Sequence, residues 1–280
     1  SNTSIKTDES FVNGWNPPYG ADINYYLGSK SADSVSVVVL NAKGETVQTI
    51  TAPNRPGINR VYWDLRLQDY VLPRLKTKPR GKDWVQLDKD GSRAMFIYDL
   101  DIGPGLTAPM VPPGEYTIVL KAHGQEMRQS LTILKDPGSK STDEEINTQF
   151  TYGIGLYNSI NQTLKLIEEM ESVRARLLKQ SEDKKSATAA LALEEKIYQL
   201  EARLHDVNQT GARMDIFRNP PQVLERLSAI SKQSVVYSTD YAPTDQDKEA
   251  YSINQQRLSD VEKAYLLLKQ NADWKKMKVN

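Results

Sequence analysis

Apolar residues change their spacing near residue 137. Ahead of it they recur at every second position in short runs broken by turn residues, as antiparallel strands do. Beyond it they recur every third or fourth position in long runs, as amphipathic helices do. Residues 22–27 read as a first strand. In 34–40, Val35, Val37 and Val39 alternate with Ser36 and Val38, so the segment is expected to bury one face. Asn41-Ala42-Lys43-Gly44 supplies residues that tolerate positive φ, and 46–50 returns as the hairpin partner. Residues 60–65 put Val61, Trp63 and Leu65 on one face, which makes Trp63 a core candidate. Pro113-Gly114 introduces 115–122, and His123-Gly124 turns the chain into 126–134, a second hairpin.

Between Leu67 and Met110 runs a connection of roughly forty residues, far above the usual loop length of about 4 to 6. Trp84-Val85-Gln86-Leu87 and Ala94-Met95-Phe96-Ile97-Tyr98 flank Asp90-Gly91, which predicts an inserted hairpin. Its first portion holds Arg74, Lys76, Lys78, Arg80 and Lys82 and no acid. The simpler reading is a solvated loop; the alternative is a ligand-facing basic strip with Trp84 beside it.

Residues 137–141 read as a linker, and Thr142-Asp143-Glu144-Glu145 fits a capping box that starts a helix. Ile146, Phe150, Ile154, Tyr157, Ile160, Leu164, Ile167, Met170, Val173 and Leu177 then form one stripe, although Gly153 and Gly155 weaken the early turns. Ala190, Leu193, Ile197, Leu200, Leu204 and Val207 mark a second helix. Asn219-Pro220-Pro221 opens a third, and Thr244 caps a fourth. The predicted fold is α+β in two domains. An antiparallel β-sandwich over 11–136, with the 67–110 insertion, is followed by an up-down four-helix bundle over 142–280.

Composition narrows the chemistry. Thirty-six basic residues balance thirty-six acidic ones, so no net field draws the chain to nucleic acid, and no apolar window is long enough to span a membrane. The absence of cysteine removes thiolate nucleophiles and thiolate metal sites, and two histidines, His123 and His205, leave little for a His-based site. His205 follows Glu201 by one helical turn, which reads as an exposed surface pair rather than a metal site. Glu168-Glu169 and Glu194-Glu195 read as solvated helix faces, and Gly103-Pro104-Gly105 as a turn. No catalytic residue, cofactor or metal is expected. Among Trp15, Tyr19, Tyr25, Tyr26, Trp63, Tyr70 and Trp84, core packing is the default for Trp63 and Tyr25. For Trp84 burial or an inter-domain contact is favoured over an exposed stacking platform.

Three stretches carry a resemblance: Asn16-Pro17-Pro18-Tyr19-Gly20-Ala21-Asp22, then Gly57-Ile58-Asn59-Arg60-Val61-Tyr62-Trp63-Asp64-Leu65-Arg66, then Pro112-Pro113-Gly114-Glu115-Tyr116-Thr117-Ile118. Together they resemble the C-terminal region of bacterial sortilin-like, BNR-repeat β-propeller proteins labelled "glycosyl hydrolase". There an Ig-like module, similar to that of the flagellar hook-capping protein, precedes a helical tail. The resemblance implies an Ig-like sandwich and a non-catalytic accessory region of an exported protein (periplasmic, cell-surface or secreted) whose partner is an upstream propeller. It supplies no catalytic residue to carry over, and the propeller's own Ser-x-Asp-x-Gly-x-x-Trp boxes are absent. Pro18, Gly20, Trp63, Asp64, Gly114 and Tyr116 are expected to do structural work. The chain, lacking an initiator Met, reads as an excised fragment. The alternative function is a carbohydrate-binding module that uses the 67–110 connection, with Trp84, Arg74, Lys76, Lys78, Arg80 and Lys82 facing a glycan.

Overall fold

The computed structural model describes residues 18–96, 106–212, 214–238 and 240–277. Trp15, Asn16, Pro17, Ile97, Tyr98 and Gly103-Pro104-Gly105 lie outside them. The chain is mixed α+β with antiparallel sheets. In chain order its strands are β1 (Ala21–Leu27), β2 (Ser36–Leu40), β3 (Thr46–Thr51), β4 (Gly57–Trp63), β5 (Arg74–Leu75), β6 (Arg93–Ala94), β7 (Gly114–Ala122) and β8 (Gln125–Ile133). The helices are α1 (Asp143–Gln180), α2 (Ala187–Glu201), α3 (Asp215–Arg218), α4 (Val223–Ser231), α5 (Asp245–Gln270) and α6 (Ala272–Met277), with a π-helical turn at Lys232–Val236.

Two compact units divide the chain. The first comprises residues 1–69, 108–150 and 239–242. In it β1 pairs with β4, and a second sheet runs in the order β3-β2-β7-β8. β2 is therefore an inner strand, and Val37, Val38 and Val39 are all buried. The strict alternation suggested one buried face; an inner strand covered on both sides buries its valines regardless of parity. Trp63 is fully buried, meets Tyr116 edge-on at 5.5 Å and donates its indole N–H to the Arg66 carbonyl at 2.9 Å.

Gly20, Asp64 and Tyr116 take structural positions. Gly20, at φ +131°, brings its backbone so close to strand β4 that an added Cβ would sit 2.0 Å from the Trp63 carbonyl oxygen. Asp64 accepts the Arg66 N–H at 3.1 Å, and the Tyr116 hydroxyl donates to the Pro112 carbonyl at 2.8 Å. Tyr25 is half-buried, its hydroxyl on the Pro53 carbonyl, while Tyr26 and Tyr19 are exposed. Strand β4 ends at Trp63, two residues earlier than the alternation suggests, because Leu65 turns to φ +61°. There the long connection leaves: Arg66 bridges Met110, and Leu67 N–H donates to the Pro109 carbonyl at 3.0 Å, so its two ends are pinned side by side.

The second unit comprises residues 70–107, 151–238 and 243–280. Its core gathers Leu156, Ile160, Leu164, Ile167, Met170 and Leu177 of α1 with Leu193 and Ile197 of α2. Leu224 and Leu227 of α4, Val261 and Tyr265 of α5, and Trp274 of α6 complete it. The capping box forms at both predicted sites: Thr142 with Glu145 ahead of α1, and Thr244 with Asp247 ahead of α5. Gly155 does not break α1. It lets Tyr251 of α5 approach to where a Cβ would stand 3.0 Å from the hydroxyl. Helix α2 stops at Glu201, and Leu204 and Val207 reach the interior from turns beyond it. Helix α4 starts at Val223, after the prolines, with Gln222 and Glu225 forming its cap. Trp274 and Met277 sit in a short helix that the spacing gave no reason to expect.

Candidate functional site

The connection is an extended strap that belongs to the helical unit. Over residues 73–80 burial alternates: Pro73, Leu75, Thr77 and Pro79 point inward, while Arg74, Lys76, Lys78 and Arg80 project from the other side. Leu75 and Met95 join the helical core. The predicted hairpin pairs differently from expectation. Its turn forms at Asp88–Gly91, yet the partner of Arg93–Ala94 is Arg74–Leu75 rather than the segment around Trp84. Val85, not Trp84, is the buried residue of that segment, and Trp84 is 67% exposed. The favoured burial of Trp84 is thus overturned.

Each basic residue of the strap has a partner within the unit. Arg74 donates to Ser92 Oγ at 2.6 Å and pairs with Asp88. Lys76 Nζ donates to Ser172 Oγ at 2.7 Å, Lys78 Nζ to the Asp83 carbonyl at 3.3 Å, and Lys82 Nζ to the Asn208 carbonyl. Arg80 forks between Glu194 and Glu195 at 2.7 and 2.6 Å and stacks 3.6 Å over the Tyr198 ring. Lys76, Arg80 and Lys82 thus tie the strap to the helical segments, whereas Arg74 and Lys78 are held within the strap itself.

Beneath the strap lies a buried ionic cluster. Arg174 of α1 contacts Glu171 at 2.9 Å, Glu194 at 2.8 Å and Glu201 at 3.0 Å, and Glu201 contacts His205 at 2.9 Å; every one of these side chains is 5% exposed or less. Glu171 also accepts from the Lys76 and Thr77 N–H groups and from the Thr77 hydroxyl. Arg93 ties the far side, donating to the Thr77 and Gln209 carbonyls at 2.9 and 3.0 Å. The expected exposed Glu201–His205 pair and the expected solvated Glu194 are therefore both corrected. Glu194, Ile197 and Glu201 share one helical stripe, so the packing that buries isoleucine buries both acids. That was the legible signal: Glu171 and Arg174 continue the apolar stripe of α1 after Ile167, where a purely solvated face would have carried its charges on the opposite side.

The cluster's electrostatics are self-contained. Burial raises the Glu171 carboxyl, aided by Glu201, while burial of Glu201 is outweighed by His205 and Arg174, which hold it ionised. Burial also opposes charge on His205, but the Glu201 carboxylate overrides it and raises the imidazole pKa. With His205 protonated, Arg80, Arg93, Arg174 and His205 face Glu171, Glu194, Glu195 and Glu201, and Asp206 and Glu225 add negative charge at the edge of the set. A raised imidazole pKa gives stability that is fully present below the ordinary value of about 6.5 and lost as the pH climbs through the folded value. Unfolding free energy from urea titrations should accordingly decline as the pH rises above about 6.5, and His205→Gln should flatten that decline. An unchanged slope would mean that the imidazole is not charged in the folded state.

Among the described residues no three His, Asp or Glu side chains are placed to hold a metal ion, and no helix is long and apolar enough to cross a membrane. His123 sits in the β7–β8 turn at φ +53°, its N–H on Ser31 Oγ. Of the six candidate ligand-facing residues, Arg74 and Lys76 line one cleft against α1, and Trp84, Lys78, Arg80 and Lys82 do not. Comparison of the chain with known protein families, curated proteins and solved structures yields no match.

Proposed function

We propose that the chain is a non-catalytic accessory region of an exported bacterial multidomain protein. In this reading an Ig-like β-sandwich and an up-down four-helix bundle pack on or present an upstream β-propeller. One observation carries it: the strap that looked most available for a ligand has its basic residues engaged within its own unit, over a buried ionic cluster that fixes it in place. Further support comes from Gly20, Trp63, Asp64 and Tyr116, whose family-like positions are accounted for by close approach, core packing and hydrogen bonding within the first unit.

The exposed Trp84 ring favours a second reading, a carbohydrate-binding module that stacks a sugar on that face. One experiment with two arms separates them. The polypeptide encoded upstream is added in trans and followed by analytical ultracentrifugation, and neutral and acidic oligosaccharides are titrated against tryptophan fluorescence. A stable complex with the upstream polypeptide and a flat sugar response are expected. No association in the first arm, with saturable quenching that Trp84→Ala abolishes in the second, would replace the accessory role with the sugar-binding one.

A further inference from the structure

We infer that the outer edge of strand β8 is an interface at which a second copy of this chain pairs antiparallel across a twofold axis. Strand β8 is nine residues long, where strands of about 5 to 6 are usual, and its register with β7 runs from Gly114–Ile133 to Ala122–Gln125 without a bulge. It contains no proline, and residues 125–130 are exposed. The sheet treats its two edges differently. On β3 the outward groups are taken up by Gln68, whose N–H donates to the Val47 carbonyl and whose Oε1 accepts the Thr49 N–H, both at 3.0 Å. On β8 no described residue does the same. An edge left in that state offers a row of N–H and C=O groups to an added strand.

The turn fixes which residues point outward. His123 and Gly124, at φ +53° and +68°, make a two-residue loop, so Ala122 and Gln125 close the hairpin as a hydrogen-bonded pair. Alternation then directs the backbone groups of Gln125, Met127 and Gln129 toward β7 and those of Glu126, Arg128, Ser130 and Thr132 toward the open edge. A second β8 can therefore dock only in registers that set even-numbered residues against even-numbered ones, and it slides between them in steps of two residues.

Charge and one exposed apolar side chain select the register. With Met127 on the twofold axis, Glu126 of each copy stands opposite Arg128 of the other, and Gln125 opposite Gln129. The axial pair is of the non-hydrogen-bonded kind, whose side chains stand closest, and it covers Met127, 52% exposed in the single chain, with its own copy. Sliding one step either way opposes Glu126 to Glu126 or Arg128 to Arg128, which repel. A second step that keeps both charges within the strand sets them only against the Ser130 and Thr132 hydroxyls. Within one chain Glu126 meets Lys121 at 2.9 Å and Arg128 at 3.2 Å. The hairpin 114–133 is neutral, Glu115 and Glu126 balancing Lys121 and Arg128, so two hairpins meet without net repulsion. Arg128 gives one of its five N–H donors to Glu126, and its exposed fork can take a second carboxylate. The strand is thus complementary to itself, which selects a second copy as the occupant.

Sedimentation velocity on the whole chain over a range of concentrations tests the interface, with Glu126→Arg, Arg128→Glu and the double variant alongside the wild type. A reversible dimer is expected. Either single substitution sets like charges against each other and should weaken dimerisation at least tenfold, whereas the double variant exchanges the charges and should regain the dimer. An equimolar mixture of the two single variants should also dimerise, because the two arginines of one chain then face the two glutamates of the other. Both positions are exposed, so every variant should keep the wild-type circular dichroism. A monomer at all concentrations up to about 1 mM, a dimer that persists in both single variants, or a mixture that stays monomeric would each overturn the assignment.

Discussion

Replacing Arg174 with methionine should destabilise the helical unit by about 3–5 kcal/mol, the usual cost of removing one partner from a buried ion pair. Methionine retains the bulk of the stem, so the loss reports charge rather than a cavity. Without the guanidinium, Glu171, Glu194 and Glu201 would lie buried together, with only His205, Arg80 and Arg93 remaining against them. Urea unfolding monitored by helical circular dichroism gives the number. Glu201→Gln in the same background should recover part of the loss, because one uncompensated carboxylate disappears with it. A change below about 1 kcal/mol in Arg174→Met would mean that water reaches the cluster and that the strap is held by its apolar contacts alone.

Trp63→Ala is expected to cost the first unit about 3–5 kcal/mol, as deletion of a fully buried large aromatic does. Both the ring contact with Tyr116 and the indole hydrogen bond to Arg66 would go. Trp63→Phe should be milder: it keeps an aromatic body and forfeits the hydrogen bond. Thermal or urea melts read by near-ultraviolet circular dichroism distinguish the two. A loss under about 1 kcal/mol for the alanine variant would place the ring at a compliant site rather than in the core.

Much of the architecture was legible because the two spacings differ so sharply. Val37 and Val39 of β2, the Trp63 face, both threonine caps and the α1 stripe follow from local pattern. The strap did not, for two reasons. Its period-two alternation of prolines, leucine and threonine with arginines and lysines was masked by the high charge of the segment, which by itself reads as solvated. Its partners also lie about a hundred residues away, as in Arg80 with Glu194 and Thr77 with Glu171. Local pattern carries no information on which distant acid will meet which base. The same holds for the cluster: Glu201 and His205 one turn apart look like any surface pair until helix α2 is buried. Trp84 was misjudged because a large ring was given precedence over its neighbour Val85, and the turn geometry admitted only one of them inward.

The order in which the chain visits its two units constrains how such a region can be inherited and dissected. A polypeptide that completes one unit before starting the next can be separated by one scission and transplanted by one gene fusion. Here the thread passes into the helical unit at residue 70, returns at residue 108, and departs again at residue 151. A protease nick in 137–141 would therefore leave the strap attached to the first unit through residues 69 and 70, and part it covalently from the helices it packs against. Recombination at residue 142 would hand the recipient helices whose acids, Glu171 and Glu194, had been parted from Thr77 and Arg80. The region is exchangeable only as a whole, so boundaries in related genes are not expected between the sheets and the helices.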